Sequence, residues 1–297
     1  MSILRFSGHD TFHCREQWLL KGVQLAGNEC DISIFKDSEA IFKLGVGKNM
    51  VRSILHWMKA FKVIDDENNQ LGELTYILFK GLELDPYLEN EGSLWLMQYF
   101  LCSTGYASIF SAIFKDYFSD KASLEFSETQ IKSFLLREIE KNNQKKVTDK
   151  TLNSDFKVFI KTYVSPNKNT KTVEDDFNTP LLALNLVSNT GRRNNNNEAV
   201  YRINRNVQPS LTIEIFGYCL LAEFSNESAI NFDKIRISIA AYLCLSNEAL
   251  ELVVEELCKG YSQFVYKDDA GVRQIQIKDT SENFKTTLLK RHYELHG

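Results

Sequence analysis

Proline is scarce in this chain, four residues in 297, and glycine numbers only fourteen. That scarcity excludes long proline-rich linkers and a sandwich of many short strands joined by frequent turns. The six cysteines (Cys14, Cys30, Cys102, Cys219, Cys244, Cys258) include no CxxC pair, which excludes a zinc knuckle and a thioredoxin-like motif. Most sit in apolar surroundings and read as small buried hydrophobes. The opening "MSILRFSGHD" has no apolar leader, and no apolar run reaches 18 residues. A soluble, cytoplasmic protein without a membrane role is the expectation. An overall excess of positive charge is missing too: the net charge is −4. Contact with nucleic acid would therefore have to come from local basic stripes.

What is present is ordinary for a globular chain, with 43% hydrophobic and 25% charged residues and room for two or three domains. Helical periodicity dominates. A first helix is predicted over 11–26, capped by Asp10 or Thr11. The stretch "DSEAIFKL" predicts a short helix, "GVGK" a turn, and "NMVRSILHWMKAF" a second helix. Next, "KVID" and "LTYILFKG" read as two strands of a hairpin. Helix, tight turn, helix and hairpin is the order of a winged helix-turn-helix. After apolar helices near 92–118 the pattern recurs: a helix whose capping box pairs Ser127 with Gln130, a helix over 149–164, a polar segment at 166–178, and a hairpin from "LLALNLVS" and "EAVYRINR". A third copy follows, with "SNEALELVVEELCKG" as a helix and a hairpin turning at Asp269-Ala270-Gly271. The expected fold is mainly α with small β-hairpins, as tandem winged helix-turn-helix units in segments 1–90, 91–225 and 226–297.

The glycines at 45 and 47 ahead of Lys48 raise the question of a phosphate-cradling loop. That loop needs a glycine at position 42 and Ser or Thr after the lysine, where this chain has Phe42 and Asn49. A turn between two helices is the better reading. Along the helix that follows, Lys48, Arg52, His56 and Lys59 recur at steps of four, four and three, flanked by Asn49 and Ser53. Cations neutralise phosphates or reach guanine edges, and asparagine pairs with adenine, so this stripe is a candidate duplex-DNA contact; a plain solvated face is the competing reading. The second unit offers Lys150, Ser154, Lys157 and Lys161 opposite an apolar stripe of Leu152, Phe156, Phe159, Ile160 and Tyr163. Its wing adds Arg192 and Arg193, and the wing's second strand adds Arg202 and Arg205. Asp155 breaks that basic pattern and has to point away from phosphate. The third helix, with Glu248, Glu251, Glu255 and Glu256, suits a protein partner or water better than DNA.

One cluster could carry catalysis. "FSGHDTFHCREQW" gathers His9, Asp10, His13 and Glu16. On a helix the two histidines, four apart, would share a face and could hold a divalent cation, magnesium or manganese, that activates water for phosphodiester hydrolysis. The alternative is a capped helix whose polar groups lock the N-terminus in place.

"FSGHDTFHCREQWLLKG" and "KLGVGKNMVRSILHW" resemble a bacterial domain family long catalogued as of unknown function, found beside genes for DNA phosphorothioate modification and related phage defence and including the SspB-type nickase component. "LWLMQYFL", "TLNSDFKVFIKTY", "QPSLTIEIFGYCLL" and "DDAGVRQIQI" fit the same pattern, so the resemblance covers nearly the whole chain. It implies a DNA-binding component with sulfur-transfer partners: a cysteine desulfurase, an ATPase and an ATP-pyrophosphatase resembling phosphoadenosine-phosphosulfate reductases. It carries over no catalytic residue. A non-catalytic transcriptional regulator, or an adaptor docking the sulfur-transfer enzyme, is the alternative.

Overall fold

Where apolar residues recur at helical spacing and a polar group can satisfy the first free amides, the chain forms helices. The computed structural model describes residues 3–119, 121–165, 179–269 and 271–297. Contacts divide it into two compact units, residues 1–89 with 100–204, and residues 90–99 with 205–297.

The first unit opens on an irregular segment that leads into α1 (Glu16–Ala26). A short helix α2 (Glu39–Leu44) ends at Gly45, whose φ of 66° is left-handed, and α3 (Lys48–Ala60) starts immediately after Gly47. The glycine turn between two helices is thus observed. Its expected hairpin is not. Residues 64 and 71 form an isolated bridge, and Thr75–Phe79 winds as a π-helical turn with Ile77, Leu78 and Phe79 buried. The β-branched and aromatic content of "LTYILF" suits a strand, but no partner strand is there to bond its backbone. Helix α4 (Glu91–Ser103) follows, its residues up to Tyr99 belonging to the second unit, and then α5 (Ser108–Ser111), which continues as a π-helical turn over Ala112–Tyr117.

Next come β1 (Glu125–Phe126), α6 (Glu128–Lys141), α7 (Asp149–Tyr163), β2 (Val187–Arg193) and β3 (Ala199–Ile203). The Gln130 side chain accepts the Ser127 amide at 2.9 Å, as the capping-box spacing predicts. Thr148 caps α7 by accepting the Thr151 amide. "LLAL", expected in the hairpin, is a 3-10 turn at Pro180–Leu184. The strands form an antiparallel sheet in the order β1-β3-β2. Beneath them lies an aromatic core: Phe110 and Phe159 have ring centroids 5.4 Å apart, Phe114 and Tyr163 5.3 Å, and Phe126 and Phe159 6.2 Å. Tilted and edge-on pairs of this kind add about 0.5–1.5 kcal/mol each beyond the apolar area they bury. Trp57 of α3, fully buried, joins the same core 5.9 Å from Phe110. The polar segment expected at 166–178 lies outside the described residues.

In the second unit the order recurs: α8 (Ile213–Glu223), β4 (Ala229–Asn231), α9 (Phe232–Ile237), α10 (Ile239–Tyr242), α11 (Asn247–Gly260), β5 (Phe264–Asp269) and β6 (Val272–Ile277), closed by α12 (Glu282–His296). The sheet order is β4-β6-β5, again first, third, second. The hairpin forms as its sequence predicts, though Ala270 of the expected turn lies outside the described residues. Helix α8 is apolar almost all round and packs against α11 and α12. Residues 90–99 add polar seams to this unit: Ser93 meets the Tyr293 hydroxyl at 2.7 Å, and the Gln98 amide donates to the Tyr242 carbonyl at 2.8 Å. Among the described residues no helix is long and apolar enough to cross a membrane.

Candidate nucleic-acid interface and N-terminal strap

Residues 4–9 form a strap held by side chains far away in the sequence. The Gln144 carboxamide accepts the Leu4 amide at 3.0 Å and donates to the Leu4 carbonyl at 3.1 Å, so one side chain does the work of a β-bridge. Ser108 accepts the Arg5 amide at 2.8 Å. The buried carboxylate of Asp155, on α7, accepts the Ser7 amide at 3.0 and 3.1 Å. It also lies 3.1 Å from His9 Nε2. His9 Nδ1 accepts the Thr11 amide at 3.1 Å, which puts the ring proton on Nε2, the atom that donates to Asp155. Both nitrogens of His9 are therefore committed.

The strap's backbone is unusual. Ser7, Gly8, Asp10 and Thr11 all have positive φ. At Gly8 a Cβ would stand 2.6 Å from His56 Nδ1, so only glycine lets the strap lie against that ring. His56 in turn stands edge-on to His9, with centroids 5.7 Å apart. Burial, assisted by His9, pushes the His56 pKa down to about 3, and its Nε2 is buried without a hydrogen-bond partner. The strap also brings Arg5 to Asp66, which Lys59 approaches at 3.0 Å while donating to Asn69. Desolvation opposes ionisation of Asp66, but hydrogen bonds from Arg5 and Lys59 outweigh it and hold the carboxyl below its usual range.

Further exposed cations lie elsewhere in the same unit. Lys145 and Lys146 precede α7, and Lys150, Lys157 and Lys161 project from it into solvent. The first four of these lysines, Lys145 to Lys157, have no ion pair with a described residue. The hairpin carries Arg192 and Arg202, both paired with Glu125, and Arg193, bonded to the Asn197 carbonyl.

A model of the family described as "Protein of unknown function (DUF4007)" matches residues 6–293. The chain belongs to that family. Two crystal structures are similar to this DUF4007 chain, one of magnesium ion-bound SspB and one of SspB. Each has a TM-score of 0.80 at 20% identity, covering 97% of this chain and 88% of the other. At that identity the likeness is one of fold. No curated protein matches.

Within this DUF4007 chain the sequence-predicted residues separate into three groups. Helix α1 begins at Glu16, with Arg15 at its N-cap and no side-chain cap, so neither Asp10 nor Thr11 caps it and His9 and His13 do not share a helical face. His9 and His13 are buried, Asp10 pairs with Arg52 at 3.2 Å, and Glu16 is exposed. Among the described residues no three His, Cys, Asp or Glu gather as a metal-holding group. On α3, Lys48, Asn49 and Arg52 are exposed, but Ser53 and His56 are buried and Lys59 is engaged with Asp66, so the expected stripe is not one solvent face. On α7, Lys150, Lys157 and Lys161 are exposed and Ser154 is half-buried.

Two fasteners of the N-terminal segment have no clear signal in the sequence. Asp155 does point inward, as an interruption in a lysine face suggests, but its partner is the strap. The Trp57 indole donates to the Phe12 carbonyl at 3.1 Å, tying α3 to the residues that follow the strap.

Proposed function

We propose that the chain grips duplex DNA as the DNA-binding component of a phosphorothioate-modification system, using winged helices in both units as its framework and α7 of the first unit as its main DNA contact. The carrying observation is that each unit runs from a short strand through helices to a hairpin, two helices intervening in the first unit (α6, α7) and three in the second (α9, α10, α11), with strands paired first, third, second in both. We read this order as that of a winged helix, in which the last helix before the hairpin would enter the major groove. In the first unit this helix is α7, with unpaired Lys150 and Lys157 and the basic hairpin beside it. Its counterpart α11 exposes Glu248, Glu251, Glu255 and Glu256. A polyanion is attracted to the first and repelled by the second. The acidic α11 suits the sulfur-transfer enzyme of the same system. The similarity to SspB supports the placement in such a system.

Among the described residues the carboxylates and imidazoles do not gather as a metal-holding group, and His9, Asp10, His13 and Glu16 have no part in this gripping. The test of gripping is fluorescence anisotropy of a duplex titrated with the full chain at several salt concentrations. Lys150→Glu with Lys157→Glu is expected to lower affinity and reduce the salt slope by about two. An unchanged slope overturns the assignment.

A further inference from the structure

In the first unit, the strap and the turn between α6 and α7 line an open cavity of about 810 Å³. That size lies in the range of small-molecule sites. Its chemistry is uneven. One side is apolar, formed by Ile3, Phe6 and Val147. The aromatic corner of His56 and Tyr106, with centroids 5.2 Å apart, adjoins it. Asn142 and Asn143 also line it, and neither carboxamide bonds to a described residue. Arg5 and Lys145 are cationic, and none of the described lining residues is acidic. Arg5 is already held by Asp66 and stacked over Tyr106, which leaves Lys145 as the uncommitted cation. His56, more than nine-tenths buried, contributes a ring whose Nε2 has no partner.

We infer that this cavity binds a nucleotide, with the base against the His56–Tyr106 corner, its edge read by Asn142 and Asn143, and the phosphate on Lys145. Each class of group present answers one part of that ligand. A flat heteroaromatic ring takes the apolar and aromatic wall. Carboxamides pair with base edges, and a lysine without an ion-pair partner, in a lining that contains no acidic residue, takes phosphate. A simple anion would leave the apolar wall unused, and an apolar ligand would strand the free amides and the lysine. The inference rests partly on the DNA-gripping reading, because the nucleotide has two sources: a free nucleotide, or a base turned out of a bound duplex. Lys146 and Lys150 follow Lys145 toward α7, so a duplex held on α7 passes close to the cavity mouth.

The test uses the full chain and two fluorescent probes, 2-aminopurine deoxynucleoside monophosphate and a duplex carrying 2-aminopurine as a single bulged base, with a paired duplex as reference. A saturable fluorescence change with the monophosphate is expected in the wild type, weakened about ten-fold in Tyr106→Ala and in the exposed-site variant Lys145→Glu. Melting curves confirm that both variants are folded. If the bulged duplex also binds more tightly than the paired one, and both variants abolish that preference, the base comes from DNA. If only the monophosphate responds, the cavity takes free nucleotide. Silence from both probes, or wild-type affinity in both variants, overturns the inference. Paired-duplex binding with its usual salt slope alongside silent probes removes the cavity assignment and leaves DNA gripping intact. Monophosphate binding without any duplex binding does the reverse.

Discussion

The His9 imidazole donates through Nε2 to Asp155 at 3.1 Å, joining residues 146 positions apart. One buried carboxylate thereby fastens both His9 and the Ser7 amide to α7. Asp155→Ala would leave the buried His9 Nε2–H and the part-buried Ser7 amide without this acceptor. Hydrogen bonds to charged groups are worth about 1.5–3 kcal/mol each, so a loss on the order of 3 kcal/mol is expected. Urea unfolding monitored by circular dichroism measures it. A variant within 0.5 kcal/mol of wild type, a margin of roughly the size seen at ordinary surface sites, would show that the strap is dispensable.

The two glycines of the α2–α3 turn should respond differently to alanine. Gly45 has φ of 66°, so Gly45→Ala costs about 1 kcal/mol even though its Cβ would meet nothing. Gly47 has φ of −68° and open space around it. Gly47→Ala is therefore expected to be neutral or slightly stabilising, through the lower entropy of the unfolded chain. Equal losses at both positions would contradict this account of the turn.

On α3, Lys48 is the informative cation. Lys59 is largely buried between Asp66 and Asn69, so Lys59→Glu is expected to lower the melting temperature and confound any binding result. Lys48→Glu leaves the fold untouched. If α3 touches DNA, Lys48→Glu lowers affinity several-fold with no thermal shift, the effect of losing a single phosphate contact. Anisotropy and a melting curve on the same sample distinguish the cases.

Acid should weaken the fold through its buried histidines. Burial, with His9 adding, holds the His56 pKa near 3; burial, with His296 adding, holds that of His292 near 4. Unfolded, both take up protons below their ordinary value of 6.5. Their contribution is thus fully present above pH 6.5 and is lost as pH falls toward 4 and 3. Each supplies a slope of up to about 1.4 kcal/mol per pH unit. The urea midpoint should drop between pH 7 and pH 4.5, and less steeply in His292→Gln. Parallel profiles for the two proteins would refute the assignment.

Much of this architecture was legible from periodicity and punctuation. The helices α3, α7 and α11 and the last hairpin form where 3.6- and 2-residue patterns place them, because the buried face of each is continuous in sequence. The errors share a cause. Ser53 and His56 sit at the edge of a polar-looking face, and what covers His56 is Gly8, a neighbour no helical period can reveal. His9 and His13 have helical spacing, but the left-handed residues between Ser7 and Thr11 keep them out of α1. "LTYILF" has strand composition without a strand to pair with. The strap was invisible because its fasteners, Gln144, Ser108 and Asp155, lie more than a hundred residues away.

The seams that residues 90–99 make with 205–297 also bear on dissection of the protein. A fragment beginning at residue 205 would keep every described strand and all the other described helices of the second unit, yet would lose the hydrogen bonds from Ser93 to Tyr293 and from Gln98 to the Tyr242 carbonyl. Neither unit is a continuous stretch of chain, so no single cut releases either one whole.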